Sequence, residues 1–87
     1  MAKFRSRPIV IEAEQFIVWN KEDFIISAKI QGMMFPVYKD SKGHHLFIPT
    51  LHGLMRVNNL DWIIKGVSDE LYTCNSDIFQ KTYESIK

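Results

Sequence analysis

The residues with the most chemistry to offer are three histidines, one cysteine and a pair of glutamates. His44, His45, His52 and Cys74 are the conventional soft metal ligands of the chain. A zinc site needs several such groups converging, usually with a paired spacing such as Cys-x-x-Cys. His44 and His45 are adjacent, so on a strand they point to opposite faces, and at most one of them easily joins His52. Loop and rim histidines are therefore expected, with no metal and no cofactor. Cys74 could act as a nucleophile only with a base and an oxyanion hole, and no motif supplies the hole or an orienting group. A lone cysteine at a strand end reads instead as a small buried hydrophobe.

Glu12 and Glu14 share a strand face about 7 Å apart, a spacing open to acid–base or metal work. An ordinary half-exposed strand shows the same alternation, and a solvated face is the reading adopted. Lys65-Gly66 invites a phosphate, yet no glycine-rich loop leads there into a helix N-terminus. With no convergent catalytic set, the chain is not expected to be an enzyme, and binding ranks above catalysis.

Two groups of residues speak to binding. Trp19, beside an expected helix cap, joins Met33, Met34 and Phe35 in an apolar patch suited to a partner or a flat ligand. The rival reading places them in a shared core beneath that helix. Trp62, in the strongest strand signal, is expected in the core. Lys3, Arg5 and Arg7 precede the first acid and form a basic arm over residues 1–7, a feature open to nucleic acid but more often a solvated end. Net charge is only +1, from eleven Lys and Arg against ten Asp and Glu, so the basic excess of a nucleic-acid binder is missing.

These residues need elements to position them. Residues 8–17 read as a strand with Ile9, Ile11 and Ala13 as its core face. Asn20 as N-cap, Asp23 three residues on, and the apolar residues Phe24, Ile25 and Ala28 predict a helix ending at Gly32. Short strands follow at Met33–Lys39, His44–Pro49, Leu54–Val57, Trp62–Val67 and Leu71–Cys74, separated by turn residues. Asn75 or Ser76 then caps a short helix whose inner stripe is Ile78, Phe79, Thr82 and Tyr83. The expected fold is α+β. It has a curved antiparallel sheet of about five to six short strands, approaching a barrel whose closure is left open. One helix follows the first strand, and a second closes the chain.

The 87 residues fit a single domain that buries roughly 60–65% of its unfolded surface. One cysteine permits no internal disulfide, which fits a reducing compartment. No apolar run approaches the length of a signal or a membrane span, so a soluble, cytoplasmic protein is expected.

Three segments carry a resemblance. They are Phe4-Arg5 with Pro8 through Phe16; Ile48-Pro49-Thr50-Leu51-His52-Gly53; and Asp61 through Val67 with Glu70, Tyr72, Cys74, Asp77-Ile78-Phe79 and Thr82-Tyr83-Glu84. Together they resemble a group of small bacteriophage and prophage proteins. The resemblance implies a phage accessory protein in the cytoplasm of a bacterial host and supplies no active site. The expected role is a non-enzymatic binder of a host or phage protein, with a homodimer as a further option. Alternatives are a protein that sequesters a nucleotide-like small molecule, a weak nucleic-acid-binding module, and a minor virion or assembly component. Two departures stand out: Leu60 where the pattern has Gly before the Asp of a turn, and Ser76 where it has Pro. Because Leu resists positive φ, the turn at Leu60 is expected to take another form.

Overall fold

The computed structural model describes Ala2, Lys3 and residues 10–84. Arg5 and Arg7 of the basic arm, and Pro8 and Ile9 of the first expected strand, lie outside the described residues. In chain order the elements are β1 (Glu12–Gln15), β2 (Ser27–Ile30), β3 (Met33–Pro36), β4 (Tyr38–Asp40), β5 (Gly43–Thr50), β6 (Gly53–Asn58), β7 (Trp62–Lys65), β8 (Leu71–Cys74) and α1 (Ser76–Thr82). All pairing among them is antiparallel.

The expected single curved sheet is not formed. The strands divide into three small sheets, β1-β7-β8, β2-β3 and β4-β5-β6. One division falls inside the run 33–40. Pro36 has no N–H to give to a ladder, and the Val37 N–H goes to the Ile26 carbonyl at 3.0 Å. Residues before the break pair with β2 and those after it with β5. The other division is the 59–61 turn, beyond which β7 pairs with β1 and β8 and not with β6.

The helix expected after the first strand is also absent. Its proposed cap is an isolated turn: the Asn20 side chain accepts from the Glu22 N–H at 3.0 Å, and the Asp23 N–H reaches the Asn20 carbonyl at 3.1 Å. Phe24, meant for the buried stripe, is 94% exposed. Ser27 to Ile30 instead alternates between exposed and more buried residues, the period of a strand. Gly32 does adopt positive φ, but as the second residue of a two-residue hairpin turn, with Gln31 at φ 51° and Gly32 at φ 78°. Positive φ at both positions is the backbone that matches the twist of a hairpin. Helix ends and hairpin turns ask for glycine for the same reason, so that signal could not separate them.

The core gathers Phe16, Val18, Ile30, Phe35, Val37, Leu46, Ile48, Val57, Ile63 and Leu71. In the first strand region the buried residues are Phe16 and Val18, whereas Ile11 and Ala13, expected to face the core, are only half-buried. Ile64 is buried too but faces the other side of β7 with Trp62. There α1 supplies cover: Trp62 stacks on Phe79 with ring centroids 4.1 Å apart and planes 5° from parallel, and Phe79 meets Tyr83 at 5.0 Å. Asn75 caps the helix by accepting from the Asp77 N–H at 2.8 Å. Ile78 and Thr82 of the expected inner stripe are exposed, which leaves Phe79 and Tyr83 to hold α1. So short a helix has little stability of its own, and an aromatic pair adds about 1 kcal/mol beyond its burial. Among the described residues no helix is long and apolar enough to cross a membrane.

Candidate binding face on the β4-β5-β6 sheet

The Asp40–Gly43 and Thr50–Gly53 turns set the register of this sheet. Each turn ends on a glycine with positive φ, Gly43 at 109° and Gly53 at 91°, a backbone region that glycine reaches without strain. Tyr38 then stands opposite His45, and His45 opposite Asn58. Phe47 stands opposite Arg56 and Pro49 opposite Leu54. Residues directly opposite share a face, and the strand period of two puts all of these on one side. The other side presents Leu46, Ile48 and Val57 to the core.

On the outer side His45 is enclosed by rings. Tyr38 stacks on it at 5.9 Å, and Phe47 meets it edge-on at 5.6 Å. His45 is only 7% exposed, whereas Tyr38 remains 51% exposed, Phe47 39% and Leu54 73%. The polar members are fixed in place. Arg56 donates from Nη2 to Asp40 Oδ2 at 3.1 Å and from Nε to Asn58 Oδ1 at 2.7 Å. The Lys42 backbone N–H beside Asp40 holds its carboxyl below the usual range, and the Arg56 guanidinium reinforces this. The arrangement is a preset surface of aromatic and aliphatic area around an immobilised guanidinium. His45 Nδ1 also lies 3.9 Å from Asp40 Oδ2, and the exposed rings give the face contact area for docking.

The residues singled out in the sequence are placed as follows. His44 points to the opposite face from His45 and is buried, its Nε2 3.0 Å from the Asp23 carbonyl. His52 is exposed at the β5–β6 turn. Cys74 is half-buried at the end of β8, and burial pushes its thiol pKa up, away from the reactive thiolate. Among the described residues no three His, Cys, Asp or Glu side chains gather into a metal-binding group. Glu12 is exposed opposite Lys65, while Glu14 accepts from the Gln31 N–H at 3.3 Å and ties β1 to the β2–β3 turn. Lys65 pairs with Asp69 at 3.6 Å. The turn after it uses its own N–H groups, Gly66 and Ser68 on Glu70 and Asp69 on Gly66.

Trp19, Met33, Met34 and Phe35 are not brought together as one patch. Phe35 is in the core, and Met33 and Met34, neighbours on β3, point to opposite sides. Met33 borders a groove of about 470 Å³ with Gln31, Leu51, Lys65 and Leu71. Trp19 is 88% exposed, so the shared-core reading fails for it. Lys3 is exposed as well. The Tyr38–His45–Phe47–Arg56 face escaped sequence reasoning because it depends on register. The available signal was the spacing of two between His45 and Phe47 and between Leu54, Arg56 and Asn58, folded together at Thr50–Gly53.

Leu60 overturns another expectation. It sits at φ 78°, the conformation a glycine would take, so the turn keeps that form with leucine in it. Around it the backbone is clamped: Leu60 N–H donates to the Phe16 carbonyl at 2.7 Å, and Gln15 Nε2 donates to the Leu60 carbonyl at 2.9 Å. Asn59 pairs with Val18 as a strand neighbour would, accepting its N–H at 2.7 Å and donating to its carbonyl at 3.1 Å. No family model, curated protein or solved structure matches the chain, so the reading of its function rests on its own residues.

Proposed function

We propose that the chain is a non-enzymatic binding protein, a phage accessory protein by the resemblance of its sequence, that docks a host or phage protein on the outer face of β4-β5-β6. The observation that supports this reading is the exposed Tyr38, Phe47 and Leu54 set around a guanidinium already fixed by Asp40 and Asn58. Tyrosine, phenylalanine and arginine are enriched in protein interfaces, and Tyr and Arg among the residues that carry their energy. Holding Arg56 in place beforehand lowers the ordering cost of association.

The test is capture from phage-infected host cells, with nuclease treatment, by tagged wild-type protein and by a Tyr38→Ala/Phe47→Ala variant checked for folding by circular dichroism. A stoichiometric protein held by the wild type and lost by the variant is the expected result. Equal capture by both, or no protein partner in replicate captures, overturns the reading.

A further inference from the structure

Asn58, at the end of β6, turns both backbone groups away from β5. Its N–H donates to Asp61 Oδ2 at 3.0 Å, and its carbonyl accepts from the Asp61 N–H at 3.0 Å. Backbone groups alternate along a strand, so Arg56 and Leu54 turn theirs the same way. Pro49 agrees: it lacks an N–H and stands opposite Leu54, where a pair without ladder bonds loses nothing. Among the described residues nothing meets the backbone N–H or C=O of Leu54 or Arg56 on that side.

Open strand edges recruit other strands, and proteins usually guard them with charge, proline or brevity. The opposite edge of the same sheet is guarded in this way: β4 is three residues long and carries Lys39 and Asp40. The β6 edge is not. Its one charge, Arg56, is drawn across the sheet to Asp40, while Leu54 is 73% and Met55 36% exposed.

We infer that two copies of the chain pair antiparallel along β6, about a two-fold axis at Met55. Rotation about Met55 sets Leu54 of each copy opposite Arg56 of the other, so every open donor on this stretch meets an open acceptor. Met55 meets its own copy on the inner side. Each Arg56 keeps its Asp40 partner, and a net charge of +1 raises no field against self-association. The Asn58–Asp61 contacts close one end of the edge and the Thr50–Gly53 turn the other, which restricts the register. The pairing joins two β4-β5-β6 sheets into one; it is argued from the open backbone of β6 and not from the docking reading, whose face shares Leu54 and Arg56 with it.

Sedimentation and light scattering on the full chain test it, with Leu54→Lys and Leu54→Glu as the deciding pair. A monodisperse species of twice 10.2 kDa is expected for the wild type. Leu54→Lys, placing like charges opposite Arg56 of the second copy, raises the dimer Kd by about tenfold, since the axis applies each cross-strand term twice. Leu54→Glu keeps or tightens the dimer. Exposure at this position leaves the fold intact in both, and amide exchange of the wild type reads the same edge without substitution: Leu54 and Arg56 are protected in the dimer and lose protection on dilution. A wild type monomeric up to about 1 mM, a dimer that responds alike to both substitutions, or Leu54 and Arg56 amides unprotected at every concentration overturns the inference.

Discussion

The turns at Gln31-Gly32 and Asn59-Leu60 place the chain in the same unusual region of backbone space by different means. At the first, Gly32 takes φ 78° with open space around it, and the outside contact is one side chain, Glu14 on the Gln31 N–H. At the second, a leucine takes φ 78° and is kept there by contacts with Gln15 and Phe16, while Asn59 grips Val18. The first turn owes its form mainly to its own glycine, and the second to a segment some forty residues earlier in the chain. A residue type thus forecasts φ well where the turn stands alone, and poorly where hydrogen bonds from elsewhere impose it.

Breaking the clamp gives the largest effect. Asn59→Ala strands the part-buried N–H and carbonyl of Val18 and is expected to cost about 2–3 kcal/mol in urea unfolding. Leu60→Gly sharpens the comparison in the other direction. It removes a left-handed strain of about 1–2 kcal/mol and gives back about 0.5–1 kcal/mol through the looser unfolded chain, for a net gain of about 0.5–1 kcal/mol. Gly32→Ala is the mirror experiment: nothing crowds the added methyl, so the net loss of about 0.5–1 kcal/mol is backbone strain less the gain from a stiffer unfolded chain, with no steric part. Equal effects of both glycine swaps in the same direction would refute the contrast.

The smallest effect is electrostatic. The Asp40 carboxyl titrates below its ordinary 3.8 in the folded chain. Its contribution is therefore present above that value and fades as pH falls through the lowered folded pKa. Asp40→Asn removes this part of the acid dependence while leaving the clamp at Asn59 untouched, as paired acid titrations of the two variants would show.

The same division between local and distant control decides what could be read in the sequence. From His44 to Cys74 the strands fall close to the positions that turn residues mark, whereas the expected strand Met33–Lys39 is two strands in two sheets. The opposite facing of His44 and His45 followed from strand period alone. Residues 20–30 misled because Asn20, Asp23 and Gly32 suit a helix and a hairpin equally, and pairing with Met33–Pro36 decided between them. The sheet divided where Pro36 and Leu60 interrupt it, and the docking face required the register of two hairpins at once.

The stack of Trp62 on Phe79 gives the protein a built-in optical label for its last element. Trp19 is 88% exposed, so its indole already emits as if in water and answers little to unfolding. Trp62 is sheltered by a helix in which no residue is fully buried. Lifting α1 away therefore shifts the emission of one indole to the red. The fluorescence of the chain is a gauge of its C-terminal turn more than of its core.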